Sequence, residues 1–276
     1  MEQPEAGEHQ QPPVPPVQPL AAPPPPPPQQ QQQELQFSVD WMAPHLPYWR
    51  QHVVSRFGGR PNVRVLEIGC WEGRSALWLL RNVADHPTSS LVCIDPFEIC
   101  HPPFLRNRRV FESNLRAAGE WSRVTHMHME SRQALPRLIV DAWDAAAAES
   151  APGGGGAAAA ADPAPSGGGT VEAGPPVPPV PLPAPAQSPC PSCALFDLVY
   201  VDGSHMRADV LTDAVMAWQL LKVGGVLVFD DYLWDQYADN PVCHPAEAVD
   251  AFLRVFAHQL HVLSRGYQIM LERVAS

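Results

Sequence analysis

Short runs of apolar residues alternate along the chain with longer segments in which apolar residues recur every three or four positions. Short runs of this kind are typical of buried β-strands, and the periodic segments are typical of helices with one apolar face. The predicted strands are residues 63–69, 91–95, 123–129, 196–202 and 224–231. The predicted helices between them are residues 75–86, 104–118, 131–143 and 207–222. This alternation predicts an α/β fold with a doubly wound, mostly parallel sheet.

The C-terminal part of the chain follows a different pattern. Residues 246–256 predict one more helix, and two apolar segments, 259–265 and 267–274, then lie on either side of Gly266. Two strands joined by so short a turn must run antiparallel. We therefore expect a seven-stranded sheet made of five parallel strands and a C-terminal antiparallel hairpin.

Two parts of the chain lack these patterns. Residues 1–35 are dominated by proline and glutamine, and residues from about 144 to 193 by alanine, glycine and proline. Such compositions bury too little apolar surface to offset the entropy lost on ordering. We expect a disordered tail and a flexible insertion that interrupts one domain spanning residues 36–276. The prolines of the tail also offer polyproline-mediated contacts with other proteins, as any long proline run does.

The formal net charge of −11 describes the predicted domain poorly. Much of it comes from acidic residues of the tail and the insertion, which contain no lysine or arginine, so the folded part is close to neutral. The domain has no basic stripe, which argues against a nucleic-acid partner. The sequence shows no secretory signal and no apolar segment long enough to span a bilayer, so we expect a cytoplasmic protein with no membrane partner.

Acidic residues follow the predicted strands at the points where the strands end. In a parallel sheet these points share one edge, and ligands bind there. A single acid after a strand is equally well explained as a helix cap. Six of them at one edge indicate a ligand site, and they are Glu67, Asp95, Glu130, Asp202, Asp230 and Asp231.

Four stretches at this edge carry a family resemblance. "VLEIGCWEGRS", "CIDPF", "FDLVYVDGSH" and "LLKVGGVLVFDDY" resemble, in order and spacing, the class I S-adenosylmethionine (SAM)-dependent methyltransferases. The chain is most similar to the methyltransferase domain 24 branch, which is related to cation-dependent sugar and catechol O-methyltransferases. The resemblance implies a Rossmann-like fold and a SAM-dependent enzyme that methylates a small molecule bearing a hydroxyl group. The glycine loop lacks the G-x-G-x-x-G spacing of dinucleotide enzymes, which argues against an NAD dehydrogenase.

The resemblance implies which residues hold the cofactor. The loop between Gly69 and Gly73 would approach the methionine end of SAM, Glu67 its ammonium group, and Asp95 the two ribose hydroxyls. The helix that follows the loop would offer its positive end to the carboxylate of SAM. The complete set of implied cofactor residues is Glu67, Gly69, Gly73, Ser75, Asp95, Glu130, Ser131 and Asp202.

The family's metal ligands imply a Mg²⁺ site formed by Asp202, Asp230 and Asp231, because hard cations prefer carboxylate oxygens. Such a metal would lower the pKa of an acceptor hydroxyl. We take Asp202 and His205 as the candidate catalytic residues, since Ser204 stands where sugar O-methyltransferases carry an aspartate base and serine is a poor base. Two alternatives stay open. One is metal-independent transfer to oxygen or nitrogen with His205 as the base, and the other is a non-catalytic cofactor-binding or scaffolding protein.

Aromatic residues near this edge allow two interpretations. They follow the fifth strand or precede the first, where they could line an acceptor pocket or serve only in packing. These residues are Trp41, Tyr48, Trp49, Tyr232, Trp234 and Tyr237. They do not identify the acceptor.

Overall fold

The structure is a computed structural model that describes residues 34–97, 107–150, 194–237, 239–240 and 242–275. The predictions for residues 1–33 and for most of the insertion lie outside these residues. Within the described part of the chain, no helix is both long enough and apolar enough to cross a membrane.

Seven strands form one sheet in the order β3-β2-β1-β4-β5-β7-β6. The first five strands pair in parallel, and β7 pairs antiparallel with both β5 and β6. The predicted fold is therefore confirmed, including the C-terminal hairpin. The strands are β1 (Arg64–Ile68), β2 (Ser90–Ile94), β3 (Val124–Met127), β4 (Phe196–Val201), β5 (Leu221–Phe229), β6 (Leu260–Arg265) and β7 (Ile269–Arg273).

Helices connect the strands and cover the sheet. A short helical segment before β1 starts with a 3-10 turn, Ala43–His45, and has a π-helical turn, Arg50–Val54, between α1 and α2. A further 3-10 turn, Trp121–Arg123, precedes β3. The α-helices are α1 (Leu46–Trp49), α2 (Ser55–Phe57), α3 (Arg74–Asn82), α4 (Asn107–Ala117), α5 (Ser131–Ser150), α6 (Arg207–Leu220) and α7 (Pro245–Val255).

Side chains of successive strand residues point to opposite faces of the sheet, and each face has its own core. Leu66 and Ile68 of β1 pack in a cluster with residues of α5, α6 and α7. Val65 packs on the other face, in a cluster with residues of α3 and α4 and of the segment before β1. Glu67 shares this second face and is completely buried.

Helix α5 differs from the prediction at its C-terminal end. It continues to Ser150, past residue 144, where we placed the start of the insertion. The added turns contain four consecutive alanines, Ala145–Ala148, and alanine has the highest helix propensity of all residues. Pro136 lies in the second turn of this helix.

Candidate functional site

Main-chain hydrogen bonds place the predicted acidic residues side by side at the carboxyl edge of the sheet. The N–H of Asp202 donates to the carbonyl of Ile68 over 2.8 Å, and the N–H of Asp230 donates to the carbonyl of Val201 over 3.0 Å. The N–H of Asp95 bonds to the carbonyl of Met127 in the same way, over 3.2 Å. Each bond extends the parallel pairing by one residue beyond the end of the strands. The strand-end acids therefore lie along one edge, as their positions in the sequence predict.

The glycine loop after β1 packs against the backbone that follows β4. Gly69 has a φ of +88°, and a Cβ at this position would overlap the carbonyl of Asp202 and come within 2.8 Å of the Cα of Gly203. Gly73, with a φ of +80°, lies against the ring of Phe111, which a Cβ would approach to 2.9 Å. Glycine is required at both positions by the fold, whatever else the loop binds.

Asp95 holds the same loop from the neighbouring strand. Its Oδ2 accepts hydrogen bonds from the N–H groups of Cys70 and Trp71, over 2.7 and 3.0 Å. Its Oδ1 accepts a bond of 2.7 Å from the N–H of Phe97. Trp71 has a φ of +46°, a conformation that side chains other than glycine seldom adopt. The carboxylate thus fixes a strained loop, and its role toward a ribose stays a prediction.

Glu67 is a buried acid beneath this loop. The thiol of Cys93 lies 3.7 Å from its Oε2, and its Oε1 has no hydrogen-bond partner in the structure. Burial raises the pKa of Glu67 to about 8, while the side chains of Ser75 and Cys93 act in the opposite direction. Glu67 is therefore protonated at neutral pH in the absence of a cation. The structure brings Glu67, Ser75 and Asp95 together at the glycine loop.

Residues 36–42 cover the outer side of the loop. Backbone and hydroxyl groups of Ser38 both donate to Oε2 of Glu72, the hydroxyl over 3.0 Å. Asp40 forms an ion pair with Arg74, the first residue of α3. The ring of Trp41 meets the ring of Trp71 edge-on, with 5.7 Å between centroids. The segment before the first strand therefore forms part of the wall of the site.

Three neighbouring carboxylates follow β4 and β5 at the edge of the sheet, namely Asp202, Asp230 and Asp231, and we call this part of the edge the acceptor side. Burial and the negative charges of Asp230 and Asp231 raise the pKa of Asp202 well above its usual value. Burial and the charge of Asp231 also raise the pKa of Asp230. Oδ2 of Asp230 accepts hydrogen bonds from the hydroxyl of Tyr200 and, over 2.9 Å, from the amide of Gln268. Buried carboxyl groups and the polar side chains that bond to them therefore characterise this edge.

Asp231 lies at the centre of a second hydrogen-bonded group. Its Oδ2 is 2.8 Å from Nε2 of His205, and its Oδ1 accepts a bond of 2.8 Å from the hydroxyl of Tyr267. Its own N–H donates to Oδ1 of Asp230 over 2.8 Å. The φ of Asp231 is +57°, a left-handed conformation of the kind that proteins retain where surrounding contacts enforce it.

His205 has a fixed ring orientation. The indole of Trp234 stacks on it with 4.2 Å between centroids and 6° between planes. An ionised carboxylate can only accept hydrogen bonds, so Nε2 carries the proton toward Asp231, and Nδ1 has a lone pair that can take another proton. The hydroxyl of Ser204 donates to Asp209 over 2.8 Å and accepts from the N–H of Met206, so it serves the start of α6.

The acceptor side offers the carboxylate oxygens that Mg²⁺ prefers, but the three carboxylates do not place one oxygen each within 4.8 Å of the other two. Their mutual repulsion is what a divalent cation would relieve. Among the described residues, however, the one set of three candidate ligand atoms within 4.8 Å of each other belongs to Glu67, Cys70 and Cys93. Burial raises the pKa of Cys93 to about 11 and also raises the pKa of Cys70, so these thiols are protonated. The magnesium site formed by Asp202, Asp230 and Asp231 stays a prediction.

Comparison with known proteins identifies the family to which this site belongs. A family model described as a methyltransferase domain matches residues 66–151 and 182–232, which include the glycine loop and the acids at the strand ends. The chain belongs to the class I SAM-dependent methyltransferases. The chain is therefore an enzyme. No curated protein matches the chain.

Solved structures show the same fold for this methyltransferase. An O-methyltransferase from Bacillus cereus in complex with SAH has a TM-score of 0.51 at 14% identity, over 86% of this chain and 84% of that one. The O-methyltransferase TomG from Streptomyces achromogenes, in complex with SAM, has a TM-score of 0.50 at 20% identity, over 88% and 82%. A protein from Corynebacterium glutamicum has a TM-score of 0.50 at 20% identity, over 87% and 83%. At these identities the likeness establishes the fold.

Two predicted cofactor residues of the methyltransferase have other contacts. Glu130 forms an ion pair with Arg132 on the surface. The hydroxyl of Ser131 bonds to the carboxyl of Asp213 on α6, where burial raises the pKa of Asp213 to about 6. The role of Glu130 and Ser131 toward adenine stays a prediction.

The aromatic residues of the methyltransferase divide between the two interpretations. Trp49 is completely buried and donates its indole N–H to Gln268 over 2.8 Å, and the hydroxyl of Tyr232 donates to Asp250 over 3.1 Å. These two residues serve packing. Trp234 stacks on His205, and Tyr237 lies 5.4 Å from Trp234 with 60% of its surface exposed. Tyr48 is exposed in the segment before β1.

Three residues of the site escaped the analysis of the sequence, namely Tyr200, Tyr267 and Gln268. Tyr200 is completely buried in β4 among apolar residues, and a buried tyrosine usually needs a partner for its hydroxyl. That signal could have been used, since Asp202 follows two residues later on the same side of the strand. Tyr267 and Gln268 lie in the hairpin turn, and nothing in their spacing shows that the turn reaches the acidic pair.

Proposed function

We propose that this methyltransferase transfers the methyl group of SAM to a hydroxyl oxygen of a small molecule, with His205 as the general base. The observation that carries the proposal is the hydrogen bond between Nε2 of His205 and Asp231, together with the stacking of Trp234 on the imidazole ring. A histidine oriented by a carboxylate can accept a proton near neutral pH. The structural neighbours named as O-methyltransferases support oxygen as the acceptor atom.

In this proposal, the side chains of the site orient the acceptor hydroxyl, and His205 takes up its proton. The acceptor hydroxyl gives its proton to Nδ1 of His205 as a lone pair of its oxygen attacks the methyl carbon. When bound, SAM would supply the methyl group on its sulfur, and S-adenosylhomocysteine would leave with the electron pair of the broken sulfur–methyl bond. Asp231 stabilises the imidazolium that forms, because its carboxylate already accepts the proton on Nε2.

The cofactor would lie across the glycine loop, over the first turn of α3. Glu67, Ser75 and Asp95 surround the loop, and Asp202 contacts Gly69 from the acceptor side. The unpartnered Oε1 of Glu67 is the atom to which the ammonium of SAM would bring a compensating positive charge. Glu130 and Ser131 complete the proposed set of cofactor-binding residues and would contact the adenine of SAM.

The acceptor would be a neutral or cationic molecule with an apolar surface. Trp234 and Tyr237 offer stacking surfaces next to His205. The carboxylates of Asp202, Asp230 and Asp231 disfavour an anionic acceptor, because their negative charges would repel it.

A metal-assisted reaction is the second candidate, and one observation favours it. Burial, together with the charges of the neighbouring aspartates, raises the pKa values of Asp202 and Asp230, and a divalent cation would stabilise their ionised forms. Mg²⁺ bound by Asp202, Asp230 and Asp231 would supply a positive charge next to the acceptor oxygen. Hydrogen bonds from Tyr200, Gln268, His205 and Tyr267 now occupy two of these carboxylates, which favours the histidine as the base.

Calorimetric titration of SAM, paired with a methyl-transfer assay, tests the proposal. Phenol, catechol and methyl glucoside serve as hydroxyl acceptors, with and without EDTA. We expect His205→Ala to lower turnover at least about 100-fold while leaving the SAM affinity unchanged. His261→Ala, on the exposed edge strand β6, is the matched control and should behave as the wild type.

The outcomes separate the alternatives. Loss of turnover in EDTA, restored by Mg²⁺ and abolished in Asp230→Asn, would favour the metal-assisted reaction. Full turnover of His205→Ala would refute the histidine as the base. SAM binding without transfer to any acceptor would favour a non-catalytic cofactor-binding protein, and folded protein that does not bind SAM would contradict the proposal altogether.

A further inference from the structure

The turn of the C-terminal hairpin holds the acidic pair that follows β5. Two consecutive turn residues each bond to one of two consecutive aspartates. The hydroxyl of Tyr267 donates to Asp231 over 2.8 Å, and the amide of Gln268 donates to Asp230 over 2.9 Å. The turn joins β6 to β7, and β7 lies next to β5 in the sheet. The hairpin therefore reaches the acceptor side of the site as well as closing the sheet.

Tyr267 is itself held on three sides. Its ring stacks on His45 with 5.4 Å between centroids and 14° between planes. Its carbonyl accepts a hydrogen bond of 2.9 Å from the N–H of Tyr232, directly after Asp231. Its hydroxyl donates to the carboxylate of Asp231, and an ionised carboxylate always offers an acceptor. Its side chain is therefore a fixed donor.

We propose that Tyr267 is a positioning residue for the general base. Its bond to Oδ1 of Asp231 prevents rotation of the carboxylate, and Oδ2 is thereby kept in line with Nε2 of His205. Trp234 fixes the plane of the imidazole, and Tyr267 fixes, through Asp231, the direction of its hydrogen bond. This inference rests on the proposed role of His205.

The chain offers a matched control for the loss of a tyrosine hydroxyl. Tyr232 also donates its hydroxyl to an aspartate, Asp250 on α7, over 3.1 Å. It lies one residue after Asp231 but makes no side-chain bond to it. Tyr232→Phe and Tyr267→Phe therefore remove the same group from the same region, and only the second acts on Asp231.

Nitrogen-15 NMR of the imidazole rings tests the inference on the full-length protein and needs no acceptor. In the wild type we expect the Nε2 proton of His205 to exchange slowly with water, because Asp231 holds it. In Tyr267→Phe the same proton should exchange at least about ten-fold faster, since hydrogen bonds to charged groups are among the stronger ones. Tyr232→Phe should leave the exchange rate and the nitrogen shifts of His205 unchanged.

Turnover and affinity are measured on the same proteins. We expect Tyr267→Phe to lower turnover about ten-fold, with the SAM dissociation constant and the thermal midpoint as in Tyr232→Phe, because only part of the contribution of a positioned base is lost. Equal exchange of the His205 proton in both variants would refute the positioning role. Absence of methyl transfer by the wild type would contradict the proposed function, and the NMR result would still decide whether Tyr267 orients Asp231 and His205.

Discussion

Glu67 should make the free energy of unfolding depend on pH in a way that a glutamine at this position abolishes. Its carboxyl is completely buried beneath the glycine loop, and burial raises its pKa from 4.5 to about 8. The unfolded chain loses this proton near 4.5, whereas the folded protein keeps it until about 8. The stabilising contribution is therefore fully present below pH 4.5 and is lost as the pH rises to about 8.

The size of this effect follows from the shift in pKa. Each unit corresponds to about 1.4 kcal/mol, so the complete loss is on the order of 5 kcal/mol between the two values. Glu67→Gln keeps the shape of the side chain and an oxygen that can accept from Cys93, but it has no proton to lose. We expect the variant to be more stable than the wild type at pH 8, and its advantage to shrink steadily as the pH is lowered to 5.

Urea denaturation of the protein without SAM, at half-unit intervals from pH 5 to pH 8.5, measures this difference. Glu149→Gln removes an exposed glutamate at the end of α5 and provides the control for the change in net charge. A constant difference between Glu67→Gln and the wild type across this range would refute the reasoning. The same variants test the proposed contact with SAM, because binding an ammonium beside Glu67 should release a proton at pH 7 in the wild type and none in Glu67→Gln.

Two further predictions concern stability. Gly69→Ala should lower the free energy of unfolding by at least about 2 kcal/mol more than Gly59→Ala in urea denaturation. Both glycines have positive φ, but only the first would overlap other backbone; equal losses would refute the proposed clash. The free energy of unfolding of Asp213→Asn, relative to that of the wild type, should rise by about 3 kcal/mol as the pH rises from 4 to above 6. The reason is that burial raises the pKa of Asp213 from 3.8 to about 6, so the wild type loses stability in this range. A gain that appears on acidification instead would contradict this account.

The sequence predicted the position of the site because that position depends on local pattern and on the geometry of parallel sheets. Asp202 and Asp230 end neighbouring parallel strands, and their N–H groups bond across those strand ends. Any chain with these strands in parallel would bring the two residues to one edge. The fold and the line of acids follow from this rule without knowledge of the side-chain contacts.

The hydrogen bonds within the site could not be predicted in this way. The bond between Tyr267 and Asp231 requires β7 to lie between β5 and β6, an order that the sequence of elements does not reveal. The sequence also explains the glycine at position 69 incompletely. It predicts a close approach of the cofactor, whereas the structure shows the backbone of Asp202 at that place. The sequence allows Trp49 to be either an acceptor contact or a core residue. The structure shows that it is a core residue, because its side chain is completely buried.

The segment of residues 36–42 changes where the functional unit of this enzyme begins. The family match starts at residue 66, inside β1. Yet Glu72 and Arg74 of the glycine loop region have partners in Ser38 and Asp40, well before the start of the family match. A truncated enzyme cut just ahead of β1 would keep every residue of the motif and lose the outer support of its loop. The boundary of an active fragment is therefore set by contacts around the loop and lies some thirty residues upstream of the motif itself.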